Sequence, residues 1–198
     1  MVYEIIIQAL WLVLPAYIAN ASALLVGGGT PIDFGKKWKD GVRILGDGKT
    51  WRGLVSGALV GMTGGFGLSI VAFYTNDSEF AFLGLSDFGR FPLMIPIISS
   101  ICFGALFGDI TESFFKRRIG KNRGENWIPF DQLDFIIGVL IFSFIIAGLL
   151  QVLQVTSYNW FIENLSVWHI LTLLILTPFF HLFANFVHRK SKSNKSNK

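Results

Sequence analysis

Apolar residues fall in five long runs, at 5–26, 53–74, 91–107, 133–155 and 167–187, and polar residues gather between them. The third run is the shortest and is interrupted by Pro92 and Pro96. Each run is about the length that carries a helix across a ~30 Å hydrocarbon layer. A membrane β-barrel needs apolar and polar residues in alternation, and stretches such as 136–146 have almost none. The pattern therefore predicts an all-α fold, a polytopic membrane protein of five transmembrane helices. Residues 1–190 form its single domain, with polar loops at 27–52 and 108–132. The last stretch, 191–198, is Lys, Ser and Asn only, cannot bury a core, and is expected to be a disordered basic tail in contact with anionic lipid. The first run precedes an Ala21-Ser22-Ala23 that looks like a signal-cleavage site. However, no Lys or Arg stands before the run and Glu4 is acidic, so it is read as a span.

Composition reinforces this. The chain has 198 residues, of which 52% are hydrophobic and 15% charged, with a mean hydropathy of +0.55. A soluble domain carries about 25% charged residues. Too little charge is present to clothe a water-facing surface, which argues against a soluble nucleic-acid binder despite the net charge of +4. The charges are placed asymmetrically. Sixteen of the 17 Lys and Arg lie in loop 27–52, loop 108–132 and the C-terminal residues 189–198, and only Arg90 is elsewhere. With five spans all three segments share one face, and the positive-inside rule puts that face in the cytoplasm, with the N-terminus outside. The other face carries Glu4, Asp77, Glu79, Asp87 and Glu163 and is acidic.

Within the spans, Gly53, Gly57, Gly61 and Gly65 recur every four residues and make one stripe on a helix face, which lets another helix approach closely. Cys102 is alone, so no internal disulfide or paired-cysteine zinc site is possible, and it reads as packing. Asn20, His181 and Asn185 fall near the cytoplasmic ends of their helices and need a partner helix or a wet cavity. His169 and His188 sit at the membrane edges. A transporter needs charged groups near mid-membrane and broken helices, whereas here the helix interiors are nearly uncharged.

The chemistry concentrates in the two basic loops. The first mixes glycines, cations and carboxylates from Gly27 to Gly53. Glycines let backbone amides approach phosphate, and Lys and Arg neutralise it, a mixture that suits a nucleoside triphosphate. A plain cytoplasmic loop is also basic. Gly48-Lys49-Thr50 invites a P-loop reading, but the pattern requires glycine where Arg43 stands, and a membrane helix rather than an α/β unit surrounds it. In the second loop, Asp109, Glu112, Ser113 and Lys116 share one face if the third helix continues past the membrane. Asp131 and Asp134 are likewise three apart on the fourth. Four carboxylates beside cations suit Mg²⁺, which takes one or two carboxylates and completes its shell with water and substrate phosphates. Asp131 and Asp134 equally suit a helix N-terminus through capping and dipole.

At these positions the chain resembles the CDP-archaeol synthase family. The likeness is carried by Pro15-Ala-Tyr-Ile-Ala-Asn20, Gly27-Gly-Gly-Thr-Pro-Ile-Asp33, the run from Asp40 to Gly53, Gly108-Asp109 with Glu112, Ser113, Lys116 and Arg117, and Phe130-Asp131-Gln-Leu-Asp134. The second loop is also similar to bacterial CDP-diacylglycerol synthases, but their His-Gly-Gly element is missing and Gln132 stands where their signature has Arg. The resemblance implies a membrane cytidylyltransferase. CTP and 2,3-bis-O-geranylgeranyl-glycerol 1-phosphate, an isoprenoid ether-lipid phosphate, give the CDP-lipid and pyrophosphate, with Mg²⁺ required as two divalent or mixed cations. It further implies metal binding by Asp109, Asp131 and Asp134, with Glu112 added. Catalytic roles fall to Lys116, Arg117, Asp131 and Asp134. The substrate pocket would be Asp33, Asp40, Arg43, Asp47, Gly48, Lys49, Thr50, Arg52, Ser113 and Lys121. Membrane lipid is the expected surrounding and nucleic acid is not a partner.

Overall fold

The structure, a computed structural model, describes residues 2–122, 125 and 127–179. Their secondary structure is helical, without strands. The helices are α1 (Val2–Val26), α2 (Trp51–Asn76), α3 (Met94–Arg118), α4 (Phe130–Val152), the short α5 (Trp160–Asn164) and α6 (Val167–Phe179), with a 3-10 turn at Ala81–Leu83. Helices α1 to α4 are each long and apolar enough to cross a membrane. The fifth apolar run is described only as α6. The remainder of that run, with His181 and Asn185, and also His188 and the tail at 191–198, lies outside the described residues.

Close backbone approach builds the bundle. In α2, Gly53, Gly57, Gly61 and Gly65 all turn inward. A Cβ at Gly57 would lie 2.7 Å from the Ala19 carbonyl, and one at Gly61 would lie 2.9 Å from that of Pro15. The predicted stripe is therefore the seam against α1 within one chain. A second seam of this kind joins α3 to α4. A Cβ on Gly108 or Gly138 would overlap the Asp134 or Gly104 carbonyl. Large side chains such as Leu59, Ile70, Phe144 and Ile145 remain on the outside, as suits helices surrounded by lipid tails. Cys102 is fully buried, its thiol 3.8 Å from the Pro15 carbonyl.

Polar clasps close the end of the bundle opposite the basic loops. Gln8 Nε2 donates to the Leu83 carbonyl at 2.8 Å, and Trp11 Nε1 to that of Ser86 at 2.9 Å. His169 Nε2 lies 3.1 Å from Gln8 Oε1, so this histidine is part of the clasp.

Candidate functional site

The site forms where α3 and α4 cross beneath the loop joining α1 to α2. The expected loop 108–132 is partly helical. Helix α3 runs on to Arg118, so Asp109, Glu112, Ser113 and Lys116 do present one face, and α4 already begins at Phe130. The Gly108–Asp134 contact then sets the α4 carboxylate opposite the α3 pair. One oxygen from each of Asp109, Glu112 and Asp134 lies within 4.8 Å of the others. Three carboxylates this close repel one another unless cations intervene, and their oxygens are the donors a hard divalent ion prefers.

Cations surround the cluster. Lys49 Nζ is 2.6 Å from Asp109 Oδ2. Lys116 Nζ is 2.8 Å from Asp131 Oδ1 and 3.5 Å from Glu112 Oε1. Asp131 thus stands beside the cluster, with one oxygen on Lys116 and the other accepting the Trp127 N–H at 2.7 Å. The resemblance implies metal binding by all four carboxylates. Glu112, the weaker expectation, lies in the close trio, and Asp131 lies next to it, in contact with Glu112 and Lys116. The difference follows from the helix ends: Asp131 is in the first turn of α4, level with Lys116, while Asp134 is one turn deeper, level with Asp109. Together with Gly48, Ser113 and Arg117, these side chains line a cavity of about 220 Å³.

The loop over the cavity is held by Asp33, whose side chain is fully buried. Its carboxylate accepts from Arg43 Nη2 at 2.8 Å and Nε at 3.2 Å, and from the N–H groups of Leu45, Gly46 and Gly35 at 3.0–3.1 Å. Burial alone would raise its pKa. The Arg43 guanidinium and the three backbone donors outweigh burial and hold it well below the usual carboxylate range. Arg43 also pairs with Asp47 at 2.8 Å. The loop docks on α3 through Arg118, which reaches Asp40 at 3.1 Å and the Arg43 carbonyl, and through Arg117, which donates to the carbonyls of Leu45 at 3.2 Å and Lys121 at 2.7 Å. Gly46, at φ +94°, allows that approach, because a Cβ there would lie 3.3 Å from Arg117 Nε. Thr50 caps α2 by accepting the Gly53 N–H at 3.1 Å. Arg52 donates to the Val26 carbonyl at 2.8 Å, at the negative end of α1.

The predicted residues therefore divide. Asp109, Glu112, Asp131, Asp134, Lys49, Gly48, Ser113, Lys116 and Arg117 line the charged cavity. Asp33, Asp40, Arg43, Asp47 and Arg52 brace the loop over it, and Lys121 supplies a backbone carbonyl. Sequence reasoning missed Gly104 and Gly138, and quoted Gly108 only as part of the resemblance; these glycines bring the carboxylates together. The four-residue spacing of Gly104 and Gly108 directly before Asp109, and of Asp134 and Gly138, hints at close packing, but nothing in the sequence sets the two pairs against each other.

Two further cavities adjoin the charged one. An apolar groove of about 440 Å³ between α3 and α4 has walls that include Phe107, Phe115, Phe130, Ile141 and Phe142, and it shares Glu112 and Asp134 with the charged cavity. A smaller cavity lies between α1, α2 and α3 on the far side of Lys49 and Asp109.

A family model described as CarS-like: CDP-archaeol synthase matches residues 2–194. The CDP-archaeol synthase of Methanocorpusculum labreanum is 42% identical over 179 residues, covering 88% of this chain and 93% of the relative. That of Thermococcus onnurineus is 40% identical over 181 residues, covering 91% and 90%. A solved structure described as an intramembrane enzyme for archaeal membrane lipids biosynthesis superposes with a TM-score of 0.67 at 32% identity, covering 90% of this chain and 92% of that one.

Proposed function

Because the chain belongs to the CDP-archaeol synthase family, whose members are CTP-dependent transferases of archaeal phospholipid synthesis, we propose a specific division of labour among its residues. The reading is cytidylyl transfer to 2,3-bis-O-geranylgeranyl-glycerol 1-phosphate. The observation that carries it is the trio Asp109, Glu112 and Asp134, flanked by Lys49, Lys116 and Arg117, in a charged cavity continuous with an apolar groove. A phosphate can sit among the cations while a hydrocarbon chain stays out of water in the groove.

The lipid phosphate oxygen attacks the α-phosphorus of CTP. A new P–O bond forms, the bond from the α-phosphorus to the α–β bridging oxygen breaks, and pyrophosphate leaves. The lipid supplies the nucleophile, already largely ionised near neutral pH, so no protein nucleophile is required. Asp109, Glu112 and Asp134 would hold the divalent cation, Mg²⁺ in this reading. When bound, it neutralises phosphate charge and favours in-line displacement. Lys116 and Arg117 clamp phosphate oxygens, Asp131 orients Lys116, and Lys49 bridges the loop to the cluster. The isoprenoid chains run along the groove between α3 and α4. The basic loops face the cytoplasm, where CTP is found.

The test is purified protein with labelled CTP, Mg²⁺ and the geranylgeranyl lipid phosphate. CDP-lipid and pyrophosphate in equal amounts are expected, and a folded sample that yields neither sinks the reading. Orientation is checked by thiol labelling of Asp40→Cys and Ser86→Cys in sealed cells. Reaction at position 40 from outside reverses the assignment.

A further inference from the structure

The loop over the charged cavity carries an apolar surface that the chain leaves uncovered. Phe34 is 63% exposed, and Trp38 and Trp51 are exposed too. The Phe34 and Trp51 rings lie 6.3 Å apart, and Trp38 stands edge-on to Phe114 of α3 at 5.4 Å. Lys36, Lys37 and Lys39 are exposed beside these rings and make no ion pair among the described residues. No carboxylate lies between Phe34 and Lys39 in the sequence. A short hairpin holds the lysines: the Trp38 N–H donates to the Val42 carbonyl at 2.8 Å, and the Ile44 N–H to that of Lys36 at 3.1 Å.

Phe34 is also strained. Its φ is +50°, a left-handed conformation in which a Cβ crowds the next carbonyl. Glycine would fit the turn without that cost, and the exposed ring gains no core packing in return. Residues held in this way concentrate at sites of contact. The height of Phe34 in the bundle says what it meets. Trp51 is the first residue of α2, and Arg52 donates to the Val26 carbonyl at the end of α1, so Trp51 and Val26 are level. Leu24 and Leu25, beside that level, are exposed, as suits residues in lipid. Phe34, beside Trp51, is therefore at the edge of the hydrocarbon layer, where aromatic rings settle.

We propose that this loop is seated on the membrane surface. Phe34 and Trp51 enter the headgroup boundary, and Lys36, Lys37 and Lys39 bind anionic lipid headgroups. The inference needs only the membrane-spanning fold and not cytidylyl transfer. Lysines attract a negatively charged leaflet within a Debye length of its surface. The Pro31–Thr50 pairing and the Ile32 N–H bond to the Lys49 carbonyl at 2.8 Å connect the seat to the roof of the charged cavity. Surface charge then steadies Lys49 over the carboxylates.

The experiment uses the full chain in two bilayer discs, one of phosphocholine lipid alone and one with roughly a third of anionic phosphoglycerol lipid. An environment-sensitive dye on Val42→Cys reports the loop, and Cys102 is buried away from the reagent. Lipid brominated near the headgroup should quench the dye about threefold more strongly in the anionic disc, and about 1 M salt, where the Debye length is about 3 Å, should remove the difference. Lys36→Gln, Lys37→Gln and Lys39→Gln combined should remove it too. Phe34→Gly relieves the left-handed strain and so keeps the melting temperature, yet should roughly halve the quenching in both discs. Equal quenching of the native loop in the two discs overturns the proposal, as does a charge response that survives the triple exchange or quenching unchanged in folded Phe34→Gly. Inorganic phosphate added to the phosphocholine disc should change nothing, and a response to it would make the lysines a free-anion site instead. An unquenched dye together with a Val42→Cys crosslink between two chains would assign the patch to a second copy and sink the lipid seat. None of these readouts involves CTP, so they stand apart from any test of the transferase reading.

Discussion

Two pairs of helices in this bundle are joined by glycines, yet they do different things with the closeness. Between α1 and α2 the facing groups are Gly57, Gly61 and Gly65 against Ala19, Ala23 and Pro15, with no titratable side chain in the seam. Between α3 and α4, Gly104, Gly108 and Gly138 interlock, and the same crossing carries Asp109, Glu112 and Asp134 to within 4.8 Å. The first seam gains van der Waals contact that large side chains would prevent. The second spends the same device on gathering carboxylates, which oppose one another until a cation or phosphate partner is present. Close packing is thus scaffold in one half of the molecule and site geometry in the other.

The largest effects should come from the trio itself. Asp134→Asn or Asp109→Asn keeps the volume and removes a negative oxygen. Disturbing a residue that merely supports a metal ligand costs about 10–100-fold, so losing a proposed ligand should lower turnover about a hundredfold or more. Chelation of divalent ions should abolish native activity, and added Mg²⁺ should restore it. CDP-lipid formation at several Mg²⁺ concentrations measures both. Near-native rates in folded Asp134→Asn would reduce the α3–α4 seam to scaffold like the other.

The seams themselves give the next test. Gly138→Ala and Gly61→Ala each drive a methyl into a facing backbone, and overpacking of this kind costs about 1–3 kcal/mol. Stability should fall in both, measured as melting temperature in one detergent. Activity should separate them. Gly138→Ala spreads the carboxylates, and about 1 Å of misplacement can cost a hundredfold, whereas Gly61→Ala should retain turnover within about threefold once folded. Equal loss of turnover in the two would break the distinction.

The contrast also explains what was legible in the sequence. Spans α1 to α4 were readable because the membrane demands long uncharged runs, and their observed ends differ from the runs by a few residues or by turns of helix reaching into the loops. The stripe in α2 was readable because four glycines repeat at one spacing. The α3–α4 seam was not, since Gly104 and Gly108 sit on one run and Gly138 on another, and only the fold shows that they oppose each other. The same reason separates Asp131 from Asp134: their spacing puts both on one face, and only the depth of Lys116 decides which of them it pairs with. The family resemblance assigns Asp33 to the substrate pocket. Its four donor groups are distant in sequence by up to 13 residues, so its bracing role appears only in three dimensions.

Asp33 matters to the comparison because its loop ties the α1–α2 pair to the α3–α4 pair. Its folded pKa is depressed, so the stabilisation it provides is complete above the unfolded carboxylate value near 4 and is lost as pH falls toward the folded value. The melting temperature of the native protein should therefore decline below about pH 4. Asp33→Asn should be less stable at pH 7 and should show a shallower decline on acidification. Its KM for CTP should rise roughly tenfold, because Gly48 and Lys49 lose their support. An unaltered acid profile would mean that other groups hold the loop.

The smallest effect is expected at the opposite end, where the segment linking the two pairs carries Arg90. Its Nε donates to Asp87 Oδ2 at 2.7 Å, and its guanidinium lies 5.8 Å from the Phe73 ring centroid in α2. The Arg90 side chain is 69% exposed. An exposed ion pair gains little because water screens it and both side chains lose freedom, and salt weakens it further. Arg90→Ala should leave turnover within about twofold and shift the melting temperature barely, less still in concentrated salt. The clasps of Gln8, Trp11 and His169 remain intact in that variant, so the end of the bundle keeps its shape. A marked fall in turnover would mean that strain at this end reaches the carboxylates through α3, and the two seams could then no longer be treated as independent.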